Sequence, residues 1–276
     1  MAKKGRNPIQ LGIVLNTKAL QAGIKSAQKQ ISKLSTVGSV ASKGIKGLGV
    51  GMKVASKGAL VLGAGAAAAG VNLLKLGSDA DESANAFQVT FKEAEKSLGS
   101  FVDDFANKAG FTTSELQQLL SFTGGVTNAM GATAEESAEL SKTVAQLAGD
   151  IGSLKNIPAE QAVRAMTSAL TGERESLKSL GIVIKETDVQ QKALEMTNKS
   201  SVKELTNLEK AHATVALITE ASSDAIGDLD NTSDGFANTT RRLKAELRQT
   251  GLEMGQELLP AVSGVLPILS KLAQDI

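Results

Sequence analysis

The chain has 276 residues, with 30 Lys+Arg against 29 Asp+Glu, a single His, and no Cys, Trp or Tyr. That inventory excludes a disulfide scaffold, a thiol nucleophile and a Cys-rich or paired-His zinc site. With 3% aromatic residues and 27 Gly, any core must be filled by Ala, Leu, Ile and Val, which suits helices packed at close range.

The net charge of +1 conceals a division. Met1–Ser78 holds 12 Lys+Arg and no acid, whereas Asp79–Ile276 holds 18 Lys+Arg against 29 acids, so +12 is followed by −11. The leading segment also carries 13 of the 27 Gly. Composition therefore suggests three regions: a basic, Gly/Ala-rich segment at 1–78, a helical domain at 79–260 and an apolar tail at 261–276.

In chain order, Met1–Arg6 is basic but leads into Ile9–Leu15, a short β-like run rather than the apolar core of an export signal. Lys18–Leu34 reads as an amphipathic helix, with Leu20, Ile24, Ala27, Ile31 and Leu34 on one face and Lys25, Lys29 and Lys33 on another. With Lys43, Lys46, Lys53 and Lys57, these lysines form the candidate basic contact surface. Gly58–Leu74 is uncharged for 17 residues, short of the roughly 20 that span a bilayer. Its small residues Ala59, Gly63, Gly65, Ala66, Ala69 and Gly70 recur at four-residue spacing, a face suited to close helix packing or to lipid.

Beyond this run, Ser78 is expected to cap a helix whose first turn carries Asp79, Asp81 and Glu82. Six of the seven Phe lie between positions 87 and 122, with Phe87/Phe91 and Phe101/Phe105 spaced for one helix face, and they are expected at the centre of the core. Capping boxes are read at Thr112–Glu115, Thr133–Glu136 and Ser201–Glu204. Pro158 is read as a helix opening, and Gly110, Gly131 and Gly172 as helix stops. The β-branched run Ile182–Ile184 suggests a short strand or an extended crossing near 182–185. No proline interrupts the chain between Pro158 and Pro260, which is itself expected to break the helix before it.

Toward the end, Phe236, Thr240, Leu243, Leu247, Thr250 and Met254 follow 4,3,4,3,4 spacing, and Phe236, Leu243, Leu247 and Met254 form a candidate oligomer seam. The expected fold is thus all-α, an elongated or loosely packed helical bundle with at most one or two short strands near 9–15 and 182–185.

Catalytic readings are weak by comparison. Gly63, Gly65 and Ala68 match the G-x-G-x-x-A spacing of a pyrophosphate loop, but that motif needs a preceding strand and further βα units. His212, flanked by Leu208 and Val215 on a helix, is read as structural. Adjacent acid pairs such as Asp103-Asp104 and Glu135-Glu136 point about 100° apart on a helix and read as solvated faces. The lysine-rich front fits a phosphate backbone without base recognition, a membrane surface or an acidic protein lumen. No catalytic, metal-binding or cofactor-binding residue is assigned, and no small-molecule substrate is expected.

Six stretches taken in order carry a resemblance: Asn85–Glu95, Ala109–Leu116, Ala129–Ala134, Gln146–Asp150, Ala169–Ile184 and Gly227–Leu259. The most specific is Gly172-Glu173-Arg174-Glu175-Ser176-Leu177 with Gly181 after it. Together they resemble the N-proximal region of phage tail tape-measure proteins. The resemblance implies a helical virion protein in the tail lumen that sets tail length during assembly and leaves with the genome. Its implied partners are tail tube and tail-tip proteins, tail assembly chaperones, copies of itself, the host membrane and non-specifically bound DNA. Its implied locations are the virion, the host cytoplasm during assembly and the host envelope at ejection.

Even a wholly helical chain of 276 residues reaches only roughly 410 Å at about 1.5 Å per residue. A short ruler, or a truncated or split member of the family, is therefore expected. A membrane-permeabilising protein acting through Lys18–Leu76 is the alternative.

Overall fold

The computed structural model describes residues 64–263. The β-like run at 9–15, the helix at 18–34 and the candidate residues Lys25, Lys29, Lys33, Lys43, Lys46, Lys53, Lys57, Ala59 and Gly63 lie outside them, as does the tail after Ser263. The chain divides into two compact units. One is Glu82–Leu247; the described residues of the other are 64–81 and 248–263.

The described residues form nine α-helices and no strand. They are α1 (Ala64–Phe91), α2 (Glu95–Ala109), α3 (Thr113–Ala129), α4 (Ala134–Lys155), α5 (Ala159–Leu170), α6 (Glu186–Thr197), α7 (Asn207–Ala221), α8 (Asp228–Asn231) and α9 (Phe236–Ser263).

Local chemistry sets most of these boundaries. Thr112 and Thr133 each open a helix with a reciprocal capping box. The Glu115 and Glu136 amides donate to the threonine hydroxyls at 3.1 and 3.2 Å, and each glutamate accepts the threonine amide at 2.8 Å. Gly110 closes α2 in the left-handed region at φ +79°, a conformation glycine adopts without a Cβ penalty. Asn156 closes α4 at φ +53°, and Pro158 occupies the cap position of α5.

Several expectations are corrected. Ser78 does not cap a helix, because it lies inside α1. The alanines at 64 and 66–69 favour helix strongly, so α1 is already formed where the charge changes sign. Ser201 opens only the 3-10 turn Val202–Glu204, and the capping box belongs to Thr206 and Glu209 at the start of α7. Ile182–Lys185 is extended chain, not a strand, with Ile182 buried and Val183 69% exposed. Gly172 stops α5 as read, but further breaks between Pro158 and Pro260 occur without proline, at Gly181, Asn198 and Gly227, each at positive φ. Pro260 does not end α9, whose backbone stays helical to Ser263.

In the Glu82–Leu247 unit, α4 is central and packs against α2, α3, α5, α7 and α8. Val144, Ala148 and Ile151 on α4 are fully buried. Its small residues admit the neighbours closely: a Cβ on Gly149 would lie 2.8 Å from the Phe105 ring and 3.1 Å from Leu229. Phe87, Phe91 and Phe105 are buried as expected, and Phe87 meets Phe91 edge to face. Phe122 departs from that pattern and is exposed on α3.

A hydroxyl and amide seam threads this core. Thr123 on α3 bonds Thr167 on α5 at 2.8 Å. Thr127 donates to Ser137 at 2.9 Å, Ser137 donates to Asn128, and the Asn128 amide donates to the Thr90 carbonyl at 3.0 Å. A buried polar group is costly unless paired, so these bonds fix the register of α3 against α1, α4 and α5. Val189, Ala193, Leu205 and Ala213 form a second, smaller cluster between α6 and α7.

In the other unit, α1 and α9 meet backbone to backbone. A Cβ on Gly77 would stand 2.6 Å from the Gly255 carbonyl carbon, and the Gln256 amide bonds Asp81 at 2.8 Å. Small residues thus make a helix crossing at Gly77 and Gly255. Of the small residues named from the sequence, Gly65, Ala66, Ala69 and Gly70 lie in the helical backbone of α1.

Candidate functional site

The motif Gly172–Leu177 and the Gly181 that follows it form one corner. After α5, Thr171 and Gly172 reverse the chain, with Gly172 at φ +99°. The Gly172 amide donates to Ala169 O at 3.1 Å and the Glu173 amide to Ser168 O at 3.2 Å, satisfying the last carbonyls of the helix. Arg174–Leu180 then forms a 3-10 segment, and Gly181 ends it at φ +72°. Between the two glycines, Leu177 and Leu180 are fully buried, spaced three apart as a 3-10 turn requires to point both inward. The Ser176 hydroxyl donates to Ala165 O at 3.1 Å, which ties the segment to α5.

Arg174 extends the corner to α6. One guanidinium nitrogen donates to Glu186 at 2.7 Å, and Glu186 also accepts from Gln190 at 3.0 Å, with Lys210 at 3.8 Å. Burial alone would raise the Glu186 carboxyl, but the hydrogen bonds from Gln190 and Arg174 and the charges of Arg174 and Lys210 hold it below its ordinary value. The Arg174 Nε is buried with no hydrogen-bond partner. Glu175 pairs locally with Lys178 at 2.8 Å.

Beside the corner lies an open depression of about 450 Å³, lined by Pro158, Gln161, Arg164, Ser168, Ser176 and Ser179 among others. Several of its polar groups are already engaged. Arg164 bonds Glu160 at 2.9 Å and lies over the Phe122 ring, while Ser176 and Ser179 donate to main-chain carbonyls.

No family model, curated protein or solved structure matches the chain. Its own geometry is therefore what places the remaining candidates. His212 is half-buried on α7, and among the described residues no group of His, Asp or Glu could hold a metal ion. Gly65 and Ala68 of the G-x-G-x-x-A pattern lie within helix α1 rather than in a strand-to-helix loop, and Gly63 lies outside the described residues. Among the described residues, no helix is long and apolar enough to cross a membrane.

On α9, Phe236 is 90% exposed, Leu247 55% and Leu243 38%, so three members of the read seam face outward, while Met254 is half-buried. Sequence reasoning missed Asp150, Asn238 and Arg241. Each is bonded to residues more than 70 positions away, and although they fall in the singled-out stretches Gln146–Asp150 and Gly227–Leu259, nothing in their spacing pointed to those partners.

Proposed function

We propose that the chain is a non-enzymatic structural protein of a phage tail, of the tape-measure type, acting in tail assembly and length determination and in genome ejection. The observation that supports this reading is where four of the six stretches fall: three lie at turns between helices of the Glu82–Leu247 unit, and the fourth, inside α4, caps a neighbouring helix. Ala109–Leu116 holds the cap of α2 and the capping box of α3, and Ala129–Ala134 is the turn into α4. Gln146–Asp150 ends in the carboxylate that caps α8, and Ala169–Ile184 is the corner between α5 and α6. Residues that build joints rather than a reactive pocket suit a protein whose role is to occupy space and bind surfaces.

In this reading the outward stripe of α9 meets copies of the chain or tail tube and tail-tip proteins, and assembly chaperones hold it beforehand. The lysine-rich front, whose charge is opposite to that of the remainder, contacts tube wall, DNA or host membrane. Deleting the gene from the phage that carries it tests the proposal. Heads without normal tails in negative-stain electron microscopy are expected; infectious particles with tails of unchanged length would refute it.

A further inference from the structure

The first turns of α9, residues 236–247, belong to the Glu82–Leu247 unit and are seated within it by their less apolar side. The inward residues are Asn238, Arg241 and Ala245, whereas the large apolar residues Phe236, Leu243 and Leu247 point away. A helix docked for hydrophobic gain shows the reverse.

What holds it is polar. Arg241 donates to Asn156 Oδ1 at 2.7 Å, to its own helix's Asn238 Oδ1 at 2.7 Å, and at 3.4 Å to Gly152 O. Asn156 is the left-handed cap of α4, so the guanidinium stands at the negative end of that helix. On its other side the Arg241 Cβ abuts Gly110, the left-handed cap of α2, where an added Cβ would come within 2.9 Å of it. Asn238 completes the seat with bonds to Ser153 Oγ and Thr232 Oγ1, both 2.9 Å.

We infer that residues 236–247 form a releasable arm, latched to the body by the guanidinium of Arg241 with the Asn238 amide beside it, which opens as a unit while α2–α5 stay folded. Opening removes Ala245 as the one buried apolar side chain of these turns. The latch bonds can be replaced by water at small net cost, and Phe236, 90% exposed, has little contact to lose. Local openings of this kind occur where few apolar contacts are at stake. The inference stands whether or not the chain belongs to a phage tail.

Amide hydrogen exchange on the full chain tests it. Peptides from 236–247 are expected to exchange faster than those from α3–α5. Arg241→Ala should speed them by about tenfold or more, since loss of even one of its charge-assisted hydrogen bonds implies that factor, with α3–α5 unchanged. Should that variant fail to fold, Asn156→Gly carries the test, since glycine keeps the left-handed cap of α4 and removes only the acceptor of Arg241. Faster exchange confined to 236–247 in either variant supports the latch. Unchanged exchange there, or an equal rise throughout α3–α5, overturns it.

Discussion

Asp150 lies on α4, yet its carboxylate serves a different helix. It accepts the amides of Gly227 at 3.0 Å and Leu229 at 3.1 Å, capping α8, which at four residues is too short to hold itself. Asp150→Ala is expected to lower unfolding free energy by about 1–3 kcal/mol, with Asp150→Asn milder, as read from urea melts by circular dichroism. Glu186 gives a pH signature. Its carboxyl is held below the ordinary value, so the folded state gains from its charge above that value and loses the gain as pH falls through the lowered one. Glu186→Gln should flatten the acid side of the stability profile; the contribution is small because the carboxylate is half exposed. An identical acid limb in the variant would show that Arg174 and Lys210 do not act through this group. Neither role was legible in the sequence, since spacing along one helix says nothing of a partner 77 residues away.

At the scale of elements, periodicity and caps were read well where both signals agreed. Thr112 and Thr133 open helices because an apolar run follows each box. Ser201–Glu204 and Thr206–Glu209 offer the same pattern five residues apart, and only the second leads into a periodic face, Ala211, Val215 and Ile218. Thr206→Ala is therefore expected to cost about 1 kcal/mol, and Ser201→Ala distinctly less, in thermal melts of the two variants. Charge misled at Ser78, because a change in solvent-facing residues does not break a helix whose propensity is high on the upstream side. Helix contacts at glycine were out of reach of sequence. At Gly124 an added Cβ would fall 2.6 Å from the Phe91 ring, so Gly124→Ala should destabilise by about 1–3 kcal/mol through overpacking. A stability equal to that of the parent would mean that α1 does not seat in this notch.

For the whole molecule, composition alone pointed to helices, since a chain poor in aromatics and rich in Ala, Leu and Gly packs best as close-set cylinders. The all-α bundle followed from that and from the 3.6-residue periodicity. What composition could not supply was the centrality of α4, the hydroxyl seam through the core, or the inward turn of the polar side of α9, all of which depend on contacts distant in sequence. The proposed function joins those features to the helix joints and to a front segment of opposite charge. Quantitative mass spectrometry of purified particles from the phage that carries this gene tests it most directly. Peptides from residues 82–247 at a fixed ratio to the tail tube protein are the expected result, and intact, tailed particles containing none of them would contradict a virion role.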